Sequence, residues 1–274
     1  MRPTRLRAAL TGAALAPVLV WTLFPIYWIT AASFKTELLL YARPPAWRFT
    51  PILDNYARVL TNIPFVQYLQ NSLVIAVETT IGSLVLGTLA GYGFARYRFR
   101  LSQTVRFLVL VMRMAPRMVL VVPYYLMMQR LGLLDTYTGL VIAYVSFALP
   151  FSIWLLIGFF ADVPLDVEEA AMIDGCSPLG VLLRIVIPIA APGLVVAAIF
   201  AFLVSWNEFL FALILSGVEA KTLPVVIAGL NTDAGPLYGE MSAAAVMVML
   251  PNIALTLGLQ RYLVKGLTLG AVKG

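Results

Sequence analysis

Five acidic residues, Asp162, Asp166, Glu168, Glu169 and Asp174, crowd the stretch 161–188, where Arg184 is the only base. The whole chain holds thirteen acids and carries a net charge of +6, so this concentration calls for an explanation. Carboxylates near a helix N-terminus complement its dipole and pair with arginine or lysine, so the chemistry on offer is the docking of a basic partner surface. An ordinary solvated amphipathic loop is the plainer reading of the same residues. A second set, Glu78, Arg113, Arg117 and Glu208 with Trp206 and Asn207, falls at or within strongly apolar runs. A charge at the centre of a bilayer costs roughly 2.5–3.5 kcal/mol, so these groups should face protein or water.

Catalysis finds little to work with. Histidine is absent, which removes imidazole bases, Ser-His-Asp triads and His-ligated metals. Cys176 is the single cysteine, so no intrachain disulfide or thiolate cluster can form, and it reads as a small packing residue. None of Lys35, Lys221, Lys265 and Lys273 follows a glycine, so the chain lacks a GxxxxGKS/T phosphate loop. No catalytic residue, no metal and no cofactor bound by this chain is expected.

The elements that position these residues follow from composition. Of 274 residues, 61% are apolar and 12% charged, with a mean hydropathy of +0.93; soluble domains run at roughly 45–50% and about 25%. A soluble globule is excluded. At about 20 apolar residues per crossing, six spans are predicted, over about 8–33, 71–95, 107–128, 133–160, 189–217 and 241–264. The fold class is therefore all-α, a polytopic membrane protein with residues 1–274 as one domain in the lipid bilayer. The first run follows Arg2, Arg5 and Arg7, as a signal peptide's would, but it outlasts the roughly 7–15 residues of such a core. Loops 34–70 and 218–240 are rich in turn formers, and Tyr41, Trp47 and Tyr68 suit an interfacial aromatic belt. Gly82, Ser83, Gly87, Ala90, Gly91 and Gly93 let the second span approach a neighbour closely. Arg113 and Arg117 lie one turn apart and flank Pro116, which is expected to bend the third span.

Charge sets the orientation. Eleven Lys and Arg residues lie on the side of both termini, the basic connection 96–106 and the acidic stretch, against six on the other. The positive-inside rule puts both termini and 161–188 in the cytoplasm. The positive balance reads as orientation rather than as a nucleic-acid signal, and no nucleic-acid partner is expected.

The acidic stretch carries its own helix signals. Asp166 is a candidate N-cap with Glu169 three residues on, Val167–Asp174 is predicted helical, and Gly175 stands at a left-handed C-terminal position. Ser177 followed by Pro178 opens a second helix. The product is a short helix, a sharp turn and a second helix at an angle. Ala170 and Ala171 give the first helix a shallow flank able to enter a groove.

Glu169-Ala170-Ala171, then Gly175, then Ile185-Val186-Ile187-Pro188 resembles the EAA signature of permease subunits of ATP-binding-cassette importers, with Ile187 where leucine is more usual. Ser205-Trp206-Asn207-Glu208-Phe209-Leu210 and the ending Arg261-Tyr262-Leu263-Val264-Lys265-Gly266-Leu267-Thr268 with Gly270-Ala271-Val272-Lys273-Gly274 resemble the carbohydrate branch, in particular the smaller maltose-type permease.

The resemblance implies a type I importer permease fold with cytoplasmic coupling helices, in a bacterial inner membrane. It also implies a homologous permease partner, two cytoplasmic ATPase subunits that hold ATP and Mg, and an extracytoplasmic solute-binding protein. Carried over, Asp166, Glu168, Glu169, Ala170, Ala171, Asp174 and Gly175 dock the ATPase, Lys273 and Gly274 make a second contact, and 218–240 meets the binding protein. Trp206 suits either core packing or stacking on a sugar ring, and Glu208 either lines the path or braces the permease interface. Glu208 is expected to pair with Arg113 or Arg117. Glu78 suits snorkelling or pairing, or else solute contact, and Arg113 and Arg117 belong either to the bilayer or to a cytoplasmic helix extension. Glycerol phosphate, a polyol or a polyamine are alternative solutes. An ion-coupled secondary transporter is a different class, but it would leave the acidic helix-turn-helix without a task.

Overall fold

A computed structural model describes the backbone of residues 5–232 and 235–269 and the side chains of 13–231 and 235–260. Lys273 and Gly274 lie outside the described residues. In chain order the helices are α1 (Arg5–Ser33), α2 (Glu37–Leu40), α3 (Asp54–Asn62), α4 (Phe65–Arg96), α5 (Ser102–Met114), α6 (Arg117–Arg130), α7 (Tyr137–Ala161), α8 (Leu165–Ile173) and α9 (Pro178–Val181). A π-helical turn, Leu182–Val186, leads into α10 (Ile187–Ile189), α11 (Ala191–Trp206), α12 (Leu210–Leu215) and α13 (Leu223–Gly229). Two short strands, β1 (Asn231–Thr232) and β2 (Gly235–Pro236), pair antiparallel before α14 (Tyr238–Leu269).

Among the described residues, four helical stretches are long and apolar enough to cross a bilayer: Ala13–Ser33, Phe65–Arg96, Tyr137–Ala161 and Tyr238–Gln260. A fifth follows if Pro178–Ile189 and Ala191–Trp206, bent by 83°, count as one.

Several predicted boundaries move. The second span starts at Phe65 rather than near residue 71. Asn71 donates to the carbonyls of Glu219 and Lys221 at 2.7 and 2.9 Å, and its side-chain oxygen accepts from Tyr137 at 2.5 Å. The third span is two helices rather than one bent helix. Proline disfavours helical φ/ψ in the residue before it, and Ala115 and Pro116 are both extended, at ψ 128 and 120. Arg113 and Arg117 therefore do not share one helical face. The fifth span, predicted unbroken over 189–217, is interrupted between Trp206 and Leu210. The 34–70 and 218–240 segments, read as loops, contain α2, α3, α13 and the strand pair.

The chain divides into two units. The first, Met1–Val66 with Val226–Pro251, is organised by Asn55, whose side chain donates to the carbonyls of Ser33 and Lys35 at 2.9 and 2.8 Å. Gly239 lies so near that an added Cβ would stand 2.6 Å from the Asn55 side chain.

The second unit, Gln67–Val225 with Asn252–Gly274, holds Glu78, Arg113, Arg117, Glu208 and the acidic stretch 161–188. Small residues set its packing. A Cβ on Gly87 or Gly91 would meet α7 at 3.0 and 3.1 Å, and one on Gly193 would sit 2.2 Å from the Phe159 ring. Close approach of this kind is how helices associate without water to drive them together. One buried cluster gathers Tyr92, Leu156, Phe160, Val163, Ala171 and Val186; another gathers Ile75, Met128, Tyr144, Phe211 and Leu215.

Candidate functional site

The acidic helix α8 starts at Leu165, two residues before the predicted Val167, with Pro164 in the capping position and no side-chain cap. Asp166 is thus a first-turn residue rather than the N-cap. Pro164 fixes φ at −61 and the carbonyl of Val163 is held by Arg96, so the helix begins directly after the proline. The C-terminus follows the predicted form. Gly175 has φ +89, its N–H donates to Met172 O at 3.1 Å, and the next N–H, of Cys176, donates to Ala171 O at 3.0 Å. This pair of bonds is the Schellman closure, which requires a left-handed residue at Gly175. Ser177 then caps α9 by accepting from Gly180 N at 3.2 Å, with Pro178 in the first turn.

Between these stops α8 has two distinct faces. Asp166, Glu169, Ala170, Asp174 and Gly175 are exposed, together with Leu165, Met172 and Ile173. Glu168 and Ala171 are buried. Glu168 therefore does not belong to the outward surface that the sequence pattern assigned it to. Tyr92 donates to its Oε2 at 2.7 Å, and Arg96 Nε donates to Oε1 at 2.7 Å. Arg96 Nη2 also reaches Oε1 at 2.6 Å and donates to the Val163 carbonyl at 2.8 Å. Neither Tyr92 nor Arg96 was singled out from sequence for this role; both lie more than 70 positions from Glu168, beyond any local pattern.

A second constellation forms where two helices break. Glu208 pairs with Arg117, and its other oxygen accepts from Phe211 N at 3.2 Å, serving the first turn of α12. Arg117 lies 5.2 Å from the Phe147 ring centroid, and Arg113 lies 4.4 Å from that of Phe151. Trp206 is buried and stacked on Phe202, with ring centroids 5.5 Å apart, so it is a core residue in this structure. Asn207 is exposed, bonds back to Leu203 O at 2.8 Å, and lies 3.5 Å from Asn252. Glu78 is exposed on α4 and joins neither constellation.

Asp135 was also missed. It has φ 55. Its carboxylate accepts the backbone N–H groups of Gly217, Val218, Glu219 and Ala220 at 2.7–3.1 Å. Burial works to raise its pKa, but these four donors outweigh it and hold the carboxyl below its ordinary value. Among the described residues no group of three or more Cys, Asp or Glu side chains is arranged to hold a metal ion.

Residues 83–269 match the family of binding-protein-dependent transport system inner membrane components. Over 256 residues the chain is 36% identical to the trehalose/maltose transport system permease protein MalG of Thermococcus litoralis, covering 92% of each. Over 262 residues it is 37% identical to the trehalose transport system permease protein SugB of Mycobacterium tuberculosis, covering 94% of each. Its fold is similar to a chain of a bacterial ABC transporter involved in the import of the acidic polysaccharide alginate, with TM-score 0.78 and 24% identity over 96% of this chain and 98% of that one. It is also similar to a chain of the inward-facing MetNI methionine ABC transporter, with TM-score 0.59 and 18% identity over 74% of this chain and 95% of that one.

Proposed function

Because the chain belongs to the family of binding-protein-dependent transport system inner membrane components, we propose that it is a permease subunit of an importer for a sugar or related solute, forming half of the translocation path. Its relatives named for trehalose, maltose and diacetylchitobiose support the carbohydrate class. In this reading six crossings form when α5 with α6, and α11 with α12, each count as one broken span. Broken helices at membrane depth are tolerated where the freed backbone groups find protein partners, as Glu208 provides for Phe211.

The termini and α8 face the cytoplasm, as the charge asymmetry favours. Asp166, Glu169, Ala170, Asp174 and Gly175 form the docking surface for one of two ATPase subunits, which hold ATP and Mg. A homologous permease, as a heterodimer, and an extracytoplasmic binding protein that meets 218–240 complete the machine. This chain performs no hydrolysis.

The observation that carries this reading is the two-faced α8, closed at its end by Gly175 and presenting acids outward on a firm base. Firmness matters energetically. Turning a two-state transporter from about 1:99 to 99:1 takes about 5.5 kcal/mol of differential interaction, which has to pass through a contact that does not yield. Purification of the intact complex tests the reading: the native chain retains its ATPase, and the Glu169→Lys, Gly175→Val variant loses both ATPase retention and uptake. Normal solute-stimulated hydrolysis and uptake in that variant would contradict it.

A further inference from the structure

The back of α8 is bound to a helix that is remote in sequence. The chain itself ties α8 to α7 on one side and, through α9, toward α11 on the other. Glu168 adds a third tie, to α4. Its carboxylate receives the Tyr92 hydroxyl and the Arg96 guanidinium, and the side chains of Arg96 and Glu168 are only 9% and 3% exposed. The same guanidinium holds the Val163 carbonyl in the α7–α8 connection. Around these groups Tyr92 packs edge-on against Phe160, and Val163 and Ala171 complete the apolar seal.

We propose that Arg96, Tyr92 and Glu168 form a strut that makes α8 and α4 move as one body, so that force delivered at the docking face enters the membrane through α4 as well as through α7 and α11. Three features carry this. The two ends of the strut lie in different elements, more than 70 residues apart in sequence. The two donors engage different oxygens of the carboxylate, which restricts rotation as well as separation. A buried ion pair is also a poor device for stability alone, because well-packed apolar residues of similar volume usually serve as well or better. Glu168 faces away from the partner surface, so the strut leaves docking to Glu169 and Ala170. These are positioning residues that act through α8.

The strut rests on the docking role proposed for α8, and the test separates the two. In the complete complex with Cys176→Ser, nitroxide labels at Gly93→Cys, where an added side chain meets open space, and Leu165→Cys, which is exposed, report the α4–α8 distance by pulsed electron spin resonance. That distance is expected to be the same without nucleotide and with ATP trapped. Arg96→Gln is expected to let it change with nucleotide. The same variant should retain the ATPase while solute moved per ATP falls about tenfold, within the roughly 5–150-fold range of couplings between distant sites. The exchange Arg96→Glu with Glu168→Arg should recover part of that ratio, and the fall in the ratio with the ATPase retained is what a purely structural role would not produce.

A native distance that shifts with ATP, or an Arg96→Gln complex with an unchanged ratio of solute to ATP, overturns the strut. If Arg96→Gln fails to accumulate, the native distance and the milder Tyr92→Phe variant decide in the same way. A native complex that retains no ATPase overturns the functional reading instead, and the strut with it.

Discussion

Arg117 and Glu208 show how a single side chain governs a local balance. The Glu208 side chain is 4% exposed and serves both Arg117 and the Phe211 N–H. The Arg117 side chain is 45% exposed, so removing it strips the buried carboxylate of a partly solvated counter-charge, which costs less than the roughly 3–5 kcal/mol of a fully buried pair. Arg117→Ala should therefore lower the melting temperature of the purified complex more than Glu208→Gln does, and the double variant should recover part of the loss. At Gly175 the issue is backbone geometry. A side chain in the left-handed region costs about 1–2 kcal/mol, so Gly175→Val should open the α8–α9 turn, read as faster hydrogen exchange at Cys176. Gly175 and the first-turn Asp166 were legible in sequence because helix stops and acids near a helix start are local signals. Arg96 was legible only as one of a row of positive charges, since its carboxylate partner lies 72 positions away.

At the scale of elements, the breaks and clamps decide how well the pattern could be read. Hydropathy located the four stretches that are long and apolar enough to cross a bilayer, but it averages over Pro116 and Asn207, where helices stop. Residues 65–70 of α4 looked like loop because Gln67 and Gln70 interrupt their apolar character, while the carbonyls that Asn71 bonds belong to 219 and 221. Asp135 clamps that same segment through four N–H donors, so Asp135→Asn should cost about 1–2 kcal/mol locally. The measurement is amide hydrogen-exchange protection across 217–220. The pH dependence has a definite sign. The folded carboxyl titrates below its ordinary value of about 3.9, so as pH falls the unfolded segment takes up the proton first. The clamp is therefore fully effective above about pH 4 and is lost as pH drops through the folded value. Protection in the native chain should decay in that acid range, while the Asp135→Asn variant should show the smaller protection throughout.

For the whole molecule, composition alone placed the chain in a bilayer, and the spaced EAA set marked the segment to which the docking role is proposed. The second unit contains both constellations: the two-faced acidic helix α8, and the Arg117–Glu208 pair at two helix breaks. Composition could not show that α8 has an inner face, because that depends on which residues of α4 end up beneath it. On the proposed function, this chain moves solute only when another protein drives it through α8. The most direct measurement is uptake of trehalose or maltose into proteoliposomes assembled with and without the ATPase subunits, the second permease and the binding protein. The account predicts ATP-dependent uptake by the complete set, none by the chain alone, and none by the complete set carrying Glu169→Lys with Gly175→Val. Uptake by the chain alone, or undiminished uptake with that variant, would contradict it.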